Sequence, residues 1–231
     1  MKSYLLTLTM VVFLGVINSQ CQLDSQVQSP LPEGFVYVKD SIPSVEVELR
    51  YLGPNNFVGA PVDGYVLPRA IATAEAVEAL KLVSEAMAEK NLRIKIFDSY
   101  RPQRAVDHFV RWAEDLSDTL TRSVYYPEID KSELFEKHYI ASKSSHTRGS
   151  TFDLTLVDSR GVELDMGTPW DYFGPKSWPT DTTVSAEAYE NRMLLRNAMM
   201  DAGFAPYNEE WWHFTLKKEP YPNTYFDFEV R

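Results

Sequence analysis

Cysteine is all but missing. Cys21 stands alone among 231 residues, so no internal disulfide holds the chain. Basic runs are missing too. The net charge is -10, and without clustered Lys and Arg the chain lacks the electrostatic footprint of a nucleic-acid binder. An acidic surface mainly favours solubility. Long apolar runs, internal repeats and low-complexity tracts are also lacking. The one extended apolar stretch, Tyr4 to Val16, is too short to span a bilayer comfortably. What is present is ordinary for a globular protein: 44% hydrophobic and 24% charged residues, with length enough for one domain and a sizeable core.

The apolar stretch follows Lys2 and precedes the polar Asn18-Ser19-Gln20. It reads as an export signal over residues 1–20, against the plainer alternative of a buried N-terminal helix. Cys21 lies just beyond, where bacterial lipoproteins carry an acylated cysteine, although Gln20 stands where a small residue is usual. Residues 21–32, polar with two prolines, form the expected tether, and 33–231 the expected domain. The expectation is an exported protein, periplasmic or anchored to the envelope by lipid at Cys21.

Alternation predicts strands at Phe35–Val38, Val45–Tyr51 and Leu92–Phe97. It predicts another at Phe152–Val157, buried on one face, and a last one near Trp211–Leu216. Helical spacing predicts Arg69–Lys90, Pro102–Leu116, a shorter helix at Lys131–Tyr139, and Ser185–Ala202, which Gly203 stops. Ser117–Pro127, Glu163–Asp171 and Gly174–Asp181 read as loops, and Lys217–Arg231 as a tail packed over the surface. Strands and helices mixed without regular alternation argue an α+β fold. The sheet is expected to be small and mainly antiparallel, with helices on one side.

The chemistry concentrates in Ser144–Asp153, which reads Ser-Ser-His-Thr-Arg-Gly-Ser-Thr-Phe-Asp. His146 and Asp153 flank a bend at Arg148-Gly149. A carboxylate inside a half-buried strand is costly unless something pairs with it. Glu209-Glu210-Trp211-Trp212-His213 offers a second imidazole and further carboxylates. Two imidazoles and one carboxylate, from His146, Asp153 and His213, suit a catalytic zinc, and a spare carboxylate at Glu210 suits a general base. Spacing alone leaves open that these are ordinary polar residues. Glu210 and His213 are three apart and would face opposite sides of a regular strand, so the chain must bend or begin its strand between them. Arg101 follows a strand and precedes a helix, a junction that often lines sites, although a solvated arginine fits as well. His108 sits among apolar helical residues and reads as packed. Glu209 reads as a surface residue.

Several longer stretches carry more. Ser144-Ser-His146-x-Arg-Gly-Ser-x-x-Asp153-Leu-Thr-Leu is followed by Met166-Gly-Thr and by Glu210-Trp-Trp-His213. Asn56-Phe57, Pro61-Val-Asp-Gly-Tyr65, Tyr100-Arg101-Pro102, Ala141-Ser-Lys143 and the tail Glu219-Pro-Tyr-Pro-Asn with Tyr225-Phe-Asp-Phe228 complete the set. Together they closely resemble the zinc D-alanyl-D-alanine dipeptidases of vancomycin-resistance clusters, over about Phe35 to Arg231. The resemblance implies the small α+β fold shared with D,D-carboxypeptidases and hedgehog domains, and one zinc ion on His146, Asp153 and His213. It further implies Glu210 as catalytic base and Arg101 as stabiliser of the transition state. Ser144, Asp171 and Tyr51 are placed around a small D,D-dipeptide substrate. Asp171 would hold the substrate's free ammonium. Resistance-type members usually work in the cytoplasm, so an export signal sets this chain apart in role. Two rivals stand beside this: a D,D-carboxypeptidase trimming peptidoglycan stems, which needs an open cleft without an ammonium clamp, and a zinc-stabilised binding domain without turnover, which needs neither Glu210 nor Arg101.

Overall fold

A computed structural model describes residues 30–231. The expected export signal, Cys21 and nearly all of the expected tether lie outside the described residues. Pro32–Arg231 form one compact unit.

The first strand, β1 (Phe35–Tyr37), leads into a single helical turn, α1 (Val38–Ser41). Of the strand predicted at Val45–Tyr51, only β2 (Glu46–Val47) forms, and Arg50–Leu52 turns into a 3-10 helix. The helix predicted from Arg69 begins later. Ile71–Thr73 is a strand, β3, paired antiparallel with β1, and α2 runs Ala74–Ala88. The Ala-rich stretch misleads here because tertiary pairing outweighs a weak helix propensity. From Ala74 onward the helical spacing holds, and Ala76, Val77, Leu80, Val83 and Met87 are its buried stripe.

Next come β4 (Arg93–Asp98), α3 (Gln103–Glu114) and a short helix, α4 (Arg122–Tyr125), inside the predicted Ser117–Pro127 loop. The helix predicted at Lys131–Tyr139 is only a 3-10 turn, Lys131–Glu133, fixed by a capping box between Asp130 and Glu133. The central strand β5 spans Thr151–Val157, and α5 spans Ala186–Asp201 with Ser185 as its cap, its Oγ accepting from the Ala188 N–H at 3.0 Å. After Gly203 the chain forms β6 (Phe204–Pro206), which alternation did not show, and then β7 (His213–Leu216).

Strand order in the main sheet is β2-β4-β5-β7-β6. β2 runs parallel to β4, and the other three pairings are antiparallel, so the fold is α+β with a small, mainly antiparallel sheet. Alternation splits the sheet chemically. One face carries Ile94, Ile96, Phe152, Leu154, Leu156 and Phe214, all buried. α2 and α5 pack on the sheet at β4 and β6 and on each other, which closes that face. The other carries Thr151, Asp153, Thr155 and His213. Every residue of β5 is buried, not just one face of it, because the loops that carry the polar residues described next close over the second face.

The tail does more than cover surface. Tyr100 stacks on Phe228 at 4.0 Å between centroids, and its hydroxyl donates to the Phe228 carbonyl and accepts from the Phe228 N–H, both at 2.9 Å. Phe226 N–H donates to the Thr147 carbonyl, and its own carbonyl accepts from Gln103 N–H. Arg148 makes a two-pronged pair with Glu219 at 2.8 and 2.7 Å. One segment thus ties the turn holding His146 to the corner holding Arg101.

Candidate active site

Ser144 opens the 3-10 turn Ser145–Arg148, its Oγ accepting from the His146 N–H at 3.3 Å. Gly149 ends the turn at φ 84°, where a Cβ would run into the Phe35 ring, so only glycine fits. The turn drives His146 into the interior, 1% exposed. Its Nδ1 lies 2.7 Å from the Ser99 carbonyl. A carbonyl only accepts, so Nδ1 carries a proton, and Nε2 is the nitrogen turned toward the other two residues. That Nε2 is 3.1 Å from Asp153 Oδ1 and 3.3 Å from His213 Nδ1.

Asp153 and His213 are direct partners across β5 and β7, so register sets them side by side, with Asp153 Oδ1 3.1 Å from His213 Nδ1. His213 Nε2 is 3.2 Å from Ser145 Oγ. The three ligand atoms all lie within 4.8 Å of one another. Burial alone would raise the Asp153 carboxyl, but His146 and His213 hold it well below the usual carboxylate range. The donor set suits a divalent ion of zinc's type: two imidazole nitrogens and one ionised carboxylate, each imidazole anchored through its other nitrogen.

Glu210 sits in the turn before β7. The strand begins only at His213, which resolves the parity problem. Trp211 and Trp212 are the bend: Trp211 Nε1 donates to Thr168 Oγ1 at 2.9 Å, and the Trp212 carbonyl accepts from Leu154 N–H at 3.1 Å. Glu210 Oε2 therefore reaches to 3.4 Å from His213 Nδ1. Burial, helped by the Asp153 charge, pushes its carboxyl up to about 8.

Arg101 leaves the end of β4. Its Nε and Nη2 grip Asp98 Oδ2 at 2.9 and 2.8 Å, and Nη2 is 3.6 Å from Asp153 Oδ2. The guanidinium lies over the Tyr51 and Phe109 rings at 5.0 and 5.1 Å. Asp98 is fully buried and also accepts from Tyr65 Oη at 2.6 Å. Asp171 adopts φ 60°, uncommon for a non-glycine, and accepts from Tyr51 Oη at 2.6 Å. Burial and the Asp153 charge push its carboxyl well up.

All eight residues singled out from the sequence, Tyr51, Arg101, Ser144, His146, Asp153, Asp171, Glu210 and His213, line one cleft of about 480 Å³. His108 lies elsewhere, its Nδ1 accepting from Asp63 N–H at 3.2 Å. Asp98, Ser99, Tyr65 and Ser145, which orient the others, escaped sequence reasoning. Ser145 stands between two marked residues and could have been flagged. Ser99 acts through its backbone and leaves no side-chain signal.

The family described as D-ala-D-ala dipeptidase, peptidase M15, matches residues 32–231. The chain is 41% identical over 199 residues to a D-alanyl-D-alanine dipeptidase of Enterococcus faecium, covering 86% of this chain and 98% of that one. It is 40% identical over 201 residues to one of Enterococcus faecalis, covering 87% and 100%. It is 40% identical over 197 residues to one of Streptomyces coelicolor, covering 85% and 98%. With its His–Asp–His cluster set in a cleft of that fold, the chain belongs to the D-Ala-D-Ala dipeptidase family of M15 peptidases.

Proposed function

We propose that the chain hydrolyses D-alanyl-D-alanine to two D-alanines in the bacterial cell envelope, with one zinc ion held by His146 Nε2, Asp153 Oδ1 and His213 Nδ1. The observation that carries this is the pairing of that donor set with Glu210 and Arg101 in one cleft. A purely structural zinc needs neither.

When bound, zinc lowers the pKa of a water toward ~7 and polarises the scissile carbonyl. Glu210 takes the attacking water's proton and passes it to the departing amine. A cation on the three ligands would favour the ionised form of the Glu210 carboxyl beside them. Arg101, held by Asp98, donates N–H to the oxyanion. Asp171, braced by the Tyr51 hydroxyl, meets the free ammonium of the substrate and favours a dipeptide over a longer chain. Ser144 offers a hydroxyl on the same lining. The water's oxygen ends on the carbonyl carbon, its protons are shared between the products, and the peptide C–N bond breaks.

The test is D-alanine release by purified mature protein from D-Ala-D-Ala and from a stem pentapeptide. Release from the dipeptide, with the pentapeptide much poorer, is expected. Preference for the pentapeptide makes the chain a carboxypeptidase, and no release from either overturns the proposal.

A further inference from the structure

The proposed substrate is a zwitterion, and Asp171 accounts for only its positive end. Its carboxylate must enter a cleft already lined by Asp153, Asp171 and Glu210. Stripped of water there, a carboxylate is costly unless a partner meets it. The cleft has two permanently cationic side chains, Arg101 and Lys143. Arg101 is held by Asp98 and leans toward Asp153. Lys143 is exposed, and among the described residues no carboxylate lies within 4 Å of its ammonium. Instead its Nζ rests 4.8 Å from the centre of the Tyr225 ring, a face supplied by the tail. A cation on a half-buried ring, without a carboxylate partner, is only modestly held, and the flexible lysine stem lets it swing from there. Lys143 immediately precedes Ser144 on the cleft lining.

We infer that Lys143 binds the C-terminal carboxylate of the dipeptide and so selects for a free C-terminus. This rests on the dipeptidase reading above. The ammonium rests over Tyr225, and the substrate's carboxylate becomes its partner on binding.

The test is a cycle of two changes, one on the enzyme and one on the substrate. KM and kcat are measured on the zinc-loaded parent, Lys143→Met, Lys143→Arg and a control, Lys137→Met, which pairs with Glu133 away from the cleft. Substrates are D-alanyl-D-alanine and D-alanyl-D-alaninamide, which lacks the negative charge. Loss of a charge-assisted contact made equally in ground and transition states raises KM and spares kcat. Lys143→Met should raise KM for the free acid about tenfold and leave the amide unchanged, so that the parent's preference for the acid collapses. Lys143→Arg should keep the preference, and Lys137→Met should match the parent. A parent without that preference, or a Lys143→Met variant that retains it, overturns the inference while the dipeptidase reading stands. A parent that hydrolyses neither substrate overturns both.

Discussion

At the scale of single residues, the cleft works by supporting contacts as much as by the groups that react. His213 shows this. Its Nδ1 faces the cluster, and Ser145 Oγ lies 3.2 Å from its Nε2. Losing such a support typically weakens a metal site by about 10- to 100-fold. Ser145→Ala is therefore expected to weaken zinc binding by roughly tenfold with little loss of folded stability. Competition against a chromophoric chelator would read this, and unchanged affinity would show the hydroxyl to be idle. His146, Asp153, Glu210 and His213 stood out in the sequence because histidines are few and carboxylates lie close to them, but their roles, and the choice of Ser144, Asp171 and Tyr51, came from the family resemblance. The supporting groups did not stand out. Serines and aspartates are common, and Asp98 gains its meaning only when Arg101 and Tyr65 are seen to converge on it.

At the scale of elements, the site is an accident neither of one helix nor of one strand. It forms where the end of β4, the 3-10 turn before β5 and the start of β7 meet. Gly149 makes the turn possible. Gly149→Ala places a Cβ at a left-handed φ and against Phe35, so both strain and overpacking apply. A loss of about 1–3 kcal/mol is expected, with His146 displaced. Chemical denaturation and zinc affinity measured together would check it, and a variant as stable as the parent would contradict the packing described. The long elements were legible because burial repeats along them: α3, α5, β4 and β5 emerged near their bounds, and α2 from Ala74 onward. The short ones were not. β3 looked helical because it runs straight into an Ala-rich stretch, and its pairing with β1 makes it a strand. β6, three residues ending in proline, carries too little pattern to see. The bend at Trp211-Trp212 was required by parity, but its hydrogen bonds to Thr168 and Leu154 come from distant parts of the chain.

At the scale of the whole molecule, the chain joins a matched peptidase unit to an N-terminal stretch with the pattern of an export signal. The fold and the cleft follow from residues 32–231. The location is proposed from Met1–Cys21 alone. Cell fractionation of a tagged chain is expected to find it in the envelope fraction, with Met1 removed. If Cys21 is acylated, Cys21→Ser should free it into the periplasm. An intact Met1 on a cytoplasmic pool would sink the envelope role and leave the chemistry untouched. The proposed chemistry turns on a division of labour: three residues would hold the metal, and a fourth would move protons without being a ligand. Glu210→Gln keeps the shape but cannot accept a proton, and Glu209→Gln changes a neighbour that does not line the cleft. The decisive measurement is D-alanine release per zinc-loaded chain for these two variants and the parent. Glu210→Gln should bind zinc as the parent does and lose about 10²- to 10⁴-fold in rate, with Glu209→Gln nearly normal. A Glu210→Gln variant that turns over D-Ala-D-Ala like the parent would contradict the central claim.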